Sequence, residues 1–169
     1  ASGTKPRPDE VATIVACGCC RSVGSRAAVR SSTPTMLVWM IDRATDASYL
    51  QYQYGDSEKL RIRYEAHARY SEYPSNWHAL FTDVLGIGQG TRIIDVGCGH
   101  GSIHPTFSRA GASVVGIDRS GGMVAEARAQ ATRDGLSVSV VHGDAQHLPF
   151  PDDQFDVAFC SHMLYHVPD

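Results

Sequence analysis

Gly97, Gly99 and Gly101 stand within five residues, directly behind an apolar run that ends in Asp95 and Val96, with Cys98 between the first two. Giving up side chains there lets the backbone turn tightly and approach a ligand closely. Two further acids follow. Asp118 closes "VVGID" 17 residues beyond Gly101, with Arg119 next to it, and Asp144 stands beside Ala145 in "HGDA". His100, His104, His162 and His166 lie in or next to the same segments, and imidazole is the usual proton carrier near neutral pH. No single one stands out. His162 and His166, just past Ser161, are the two catalytic candidates.

Phosphate ligands fit this loop poorly. The dinucleotide fingerprint G-x-G-x-x-G would need glycine at position 102, which is Ser102, and no Gly-Lys-Ser/Thr follows as a phosphate-binding P-loop requires.

The elements that must position these residues form a regular series beyond Gly90. Apolar strands are expected at 91–96, 113–118, 137–141 and 155–160, alternating with helices that end at Arg109 and run from Ser120 to Arg133. Alternating strands and helices give a doubly wound, Rossmann-like α/β fold with a parallel sheet covered on both faces. Upstream, one amphipathic helix is expected from Tyr49 to Tyr73, with Leu60, Tyr64, His67 and Ala68 at helical spacing. It would flank or lid the domain, as would Tyr49, Tyr54 and Tyr70, although ordinary aromatic packing explains the tyrosines as well. A second helix reads from the N-cap Asn76 to the stop at Gly86, with Trp77, Leu80, Phe81, Val84 and Leu85 as its core stripe.

Composition narrows the class. The 169 residues suit one domain, and an apolar fraction of 43% with 20% charged residues is that of a globular protein without a membrane span. Residues 1–35 hold five basic and two acidic side chains. The remaining ten basic and sixteen acidic side chains lie in 36–169, so the body carries no basic field for nucleic acid. Residues 1–35 are expected to be disordered or a non-native leader, residues 36–89 a helical flank, and residues 90–169 the ligand-binding half of an α/β domain. Five cysteines, an odd number, fit a reducing compartment and a cytoplasmic location. Cys17, Cys19 and Cys20 lack a partner at zinc-like spacing, so no metal is expected.

The stretch "DVGCGHG" resembles the first motif of the class I S-adenosylmethionine-dependent methyltransferases, and the order of the later segments is similar to that family's from about residue 90 to 169. The resemblance implies S-adenosylmethionine as cofactor. Asp118 would hold both ribose hydroxyls, Asp144 and Ala145 would meet the adenine, and Met123, three past Ser120, would lie against the adenine face. Gly97, Cys98, Gly99 and Gly101 would reach the methionine portion, and Arg119 and Ser161 complete the set. Asp95 would orient the loop and meet the ligand amine through water. Met123 is read equally well as a core side chain, Asp144 as a turn residue, Asp118 as a solvated loop acid and Asp95 as purely structural. The segment "LYHV" resembles small-molecule methyltransferases and implies a metabolite or natural product methylated on oxygen, nitrogen or carbon. Such a transfer is an in-line displacement, for which the protein mainly aligns the acceptor and excludes water.

About seven strands make the complete family fold. The chain is therefore expected to be a fragment in which strand 155–160 has a bare edge and which binds cofactor weakly by itself. Two other readings stay open: a nicotinamide-dependent oxidoreductase, against which the missing third glycine speaks, and a non-catalytic scaffold of the same fold.

Overall fold

The computed structural model describes residues 12–16, 44–70 and 77–168. Its five parallel strands are β1 (Ala12–Ala16), β2 (Arg92–Val96), β3 (Ser113–Asp118), β4 (Val138–His142) and β5 (Val157–Ser161). They lie in the order β1-β5-β2-β3-β4. From β2 the chain steps outward through β3 to β4, then returns to the other side of β2 for β5. That reversal makes the carboxyl end of β2 a switch point, where open α/β sheets hold their ligands.

Among the described residues five α-helices accompany the sheet: α1 (Ala47–Tyr54), α2 (Glu58–Tyr70), α3 (Trp77–Val84), α4 (His104–Arg109) and α5 (Gly121–Arg133). Alternation along each strand divides the core in two. On one face Ile93, Val114, Val157 and Phe159 pack with Ile103 and Phe107 of the α4 segment, and Val140 packs with Val124 and Ala127 of α5. On the other, Ile94, Val96, Ile117 and Cys160 are covered, among the described residues, by Ala145, Phe150, Phe155 and Met163 rather than by a helix. Ser120 caps α5 by accepting from the Met123 N–H at 3.3 Å.

Four expectations are corrected. The edge of β5 is not bare, because Ala12–Ala16 pairs with Val157–Ser161 in register. Thr13, Ile14 and Val15 are β-branched, and an open strand edge is a template for such a run. The last strand starts at Val157, not at 155, because Asp156 turns its carboxylate onto the Arg92 guanidinium at 2.7 and 3.1 Å. The helix expected over 49–73 breaks into α1 and α2 at Gly55–Ser57, where the Asp56 side chain accepts from the Glu58 N–H and opens a new helix. In α3 only part of the expected stripe is core: Phe81 and Leu85 face the sheet, while Leu80 and Val84 are 58% and 63% exposed. Asn76, the cysteines at 17, 19 and 20, and residues 1–35 other than 12–16 lie outside the described residues.

Candidate functional site

The glycine loop leaves β2 with positive φ at all three glycines. Gly97 is required twice over: its φ is +69°, and an added Cβ would stand 2.6 Å from the Met163 Cγ. The loop is tied to β3 by its own backbone. The N–H groups of Gly97 and Cys98 both donate to the Ile117 carbonyl, at 2.8 and 3.1 Å.

Asp118 ends β3 half-buried and joins two loops. One carboxylate oxygen accepts from the Gly99 N–H and the other from the Ser120 N–H, each at 2.8 Å. Burial pushes this carboxyl above the usual range, against the pull of those two hydrogen bonds. Each oxygen keeps a lone pair for a further donor.

Asp95 is buried at the end of β2, and its partner is His104, whose Nε2 stands 3.0 Å from Oδ2. The imidazole fits because two glycines make room: a Cβ on Gly101 would lie 2.5 Å from Nδ1, and one on Gly116 would lie 2.9 Å from Cε1. Spacing alone does not reveal this pair. The available sign is Gly116 itself, since glycine inside a strand marks a close approach.

The remaining expected residues are distributed as follows. Cys98 is half-buried, and burial, with Asp95 and Asp118 adding, pushes its thiol far above the usual range. Arg119 is exposed, and its carbonyl accepts from the His142 Nε2 at 2.9 Å. Met123 is 1% exposed and is a core side chain here. Asp144 accepts from the Gln146 N–H at 3.0 Å, forming a turn, and Ala145 packs on the core patch under that turn. Ser161 is half-buried at the end of β5, and His162 beside it is exposed with a φ of +55°.

His166 is occupied on both sides of its ring. Nδ1 donates to the Ala44 carbonyl at 2.7 Å, which leaves Nε2 of the neutral ring to accept from the Tyr54 hydroxyl at 3.1 Å. Tyr54 also carries its backbone carbonyl to the Ser120 hydroxyl at 2.7 Å. Further along, Leu60 approaches Gly99, the Tyr64 hydroxyl meets the Ser102 hydroxyl at 3.3 Å, and the Tyr64 ring stands edge-on to His100. Helices α1 and α2 thus lie on the carboxyl edge of the sheet, over the glycine loop. Tyr70 takes no part and is 75% exposed.

Comparison with known proteins agrees with this architecture. A family model described as "Methyltransferase domain" matches residues 94–169. The chain is 39% identical over 89 residues to the ubiquinone biosynthesis O-methyltransferase of Aeromonas salmonicida, covering 52% of this chain and 37% of that one. It is 30% identical over 156 residues to the sterol 24-C-methyltransferase of Aspergillus fumigatus, covering 86% and 38%. The crystal structure of the YcgJ protein of Bacillus subtilis superposes with a TM-score of 0.52 at 31% identity, over 54% of this chain and 40% of that one. The chain spans about a third of the length of the curated relatives it matches. With the sheet, the glycine loop and the acid at the end of β3 in place, residues 94–169 are similar to the methyltransferase domain family.

Proposed function

We propose that the chain is the cofactor-holding part of an enzyme that moves a methyl group from S-adenosylmethionine to an oxygen, nitrogen or carbon of a small metabolite. The observation that carries this reading is Asp118, fixed by the Gly99 and Ser120 N–H groups beside a loop that three positive-φ glycines turn sharply at the carboxyl end of β2. The donor set fits that cofactor, which offers a ribose diol and cationic groups and no phosphate. When bound, the cofactor supplies a methyl group activated by a sulfonium leaving group.

The chain's own residues then have separate tasks. Asp118 accepts from the ribose hydroxyls with its two remaining lone pairs. Asp144 keeps one carboxylate oxygen beyond its turn and accepts from the adenine amine. Helices α1 and α2 exclude water from the carboxyl edge, which favours an aligned displacement. His162, exposed at the end of β5, is the candidate to take a proton from the acceptor, while His166, with both nitrogens engaged, positions Tyr54 instead. The partner is a small-molecule acceptor, supported by the relatives' names and by the acidic body. A reducing, cytoplasmic setting is supported by the free thiols of Cys98 and Cys160. Among the described residues no helix is long and apolar enough to cross a membrane.

Calorimetric titration of the full chain with S-adenosylmethionine, and separately with NADH, at ligand concentrations that reach weak binding, tests the reading. Binding of the first alone, lost in Asp118→Ala, is the expected result. Preference for NADH, or indifference to Asp118→Ala, would overturn it.

A further inference from the structure

S-adenosylmethionine ends in an amino acid, and its carboxylate needs hydrogen-bond donors. The glycine loop has already committed most of its own. The Gly97 and Cys98 N–H groups go to Ile117, that of Gly99 to Asp118, and that of Gly101 to the Cys98 carbonyl at 3.0 Å. The Ser102 hydroxyl is paired with Tyr64, and Asp95 and Asp118 are themselves acceptors. On the same loop, Nδ1 of His100 is buried with no hydrogen-bond partner among the described residues. Native proteins pair nearly all buried polar atoms, so an orphan at a ligand-binding loop points to a ligand. The ring is also held in place. Tyr64 stands against it edge-on, with centroids 5.5 Å apart and planes at 71°.

We infer that His100 is a cofactor-binding residue whose Nδ1–H donates to the α-carboxylate of S-adenosylmethionine. This rests on the function proposed above and adds a contact for the one part of the cofactor that the acids cannot hold. Burial, with His104 adding and Glu126 opposing, lowers the imidazole below the ordinary histidine range. Burial thus favours the neutral ring, whose single N–H a carboxylate draws to Nδ1.

Decarboxylated S-adenosylmethionine, which lacks that group, separates this contact from the rest of the site. Affinities of both compounds are measured for the full chain, for His100→Phe, which keeps a ring edge for Tyr64, and for His100→Gln, which restores a donor. The expected result is a loss of about tenfold or more for S-adenosylmethionine in His100→Phe, partial recovery in His100→Gln, and no change for the decarboxylated compound. Equal changes for both compounds, or none for either, overturn the assignment. If the unmutated chain binds neither compound, the proposed function itself fails and takes this contact with it. On the unmutated protein the 15N resonance of His100 Nδ1 should move on saturation with S-adenosylmethionine and not with the decarboxylated compound. The same movement with both, or no movement, also overturns the assignment.

Discussion

His166 and Tyr54 meet across the carboxyl edge of the sheet, the Tyr54 hydroxyl 3.1 Å from Nε2, while the backbone of Tyr54 rests on Ser120 at the far side of β2. Tyr54, through its side chain and its backbone, thus spans the switch point and pins α1 over it. Tyr54→Phe keeps the ring and removes the bond, at a cost of about 1 kcal/mol. Hydrogen exchange should accelerate in 47–70 and stay unchanged in β2 and β3; acceleration throughout would mean that the pair supports the whole fold instead.

Acid should loosen the molecule. Burial is the leading cause that lowers His78, His100 and His166 below the ordinary histidine range, so the unfolded chain takes up protons more readily than the folded one. The sign follows: this stability is present above about pH 6.5 and is lost as pH falls through the folded values. Asp118, raised by burial, acts oppositely, since its protonation as pH falls favours the folded state. Urea midpoints taken from roughly pH 8 to about 5.5 should fall, and less steeply in His166→Gln.

Asp95 and His104 form a buried pair, with side chains 4% and 2% exposed. Removing one partner strands the other, so Asp95→Ala and His104→Ala should each destabilise by about 3 kcal/mol. The double variant should cost clearly less than the sum of the two, and a denaturant double-mutant cycle measures the difference. Strict additivity would show that the two side chains act separately.

Gly97→Ala meets two obstacles, a left-handed backbone and the Met163 side chain. Met163→Ala in the same chain relieves only the second. Thermal melts should show a partial recovery, with a residual loss of about 1–2 kcal/mol from the backbone alone.

The pairing of β1 on β5 is checked by Thr13→Pro and Ile14→Pro, because the N–H groups of neighbouring strand residues point to opposite sides and one of the two must face β5. Amides of Val157–Ser161 should then exchange faster, and the uncovered edge should promote self-association on size-exclusion chromatography.

Much of this architecture is legible before any coordinates. Strands β2, β3 and β4 declare themselves because each is a short apolar run bounded by glycine or a turn, and the glycine loop with Asp118 is a local pattern. What escapes reading depends on distance. The five residues of β1 show no period long enough to identify them, and their partner lies more than a hundred residues away. The break at Gly55–Ser57 is decided by one Asx turn inside a helical pattern. The bond between Asp95 and His104 depends on where a ring lands after the glycine loop has turned, and the direction of the α3 stripe depends on how the helix is rolled against Phe159.

The placement of β1 also governs how the chain can assemble. Bringing Ala12 beside Val157 closes a loop that contains nearly every other element, and entropy charges for that closure before any contact rewards it. The β2-to-β4 unit, built from neighbours in sequence, can form first, and β5 adds to β2 and presents the seam for β1. The N-terminal strand should then dock last during folding and leave first when the protein opens, at the side of the sheet farthest from β4.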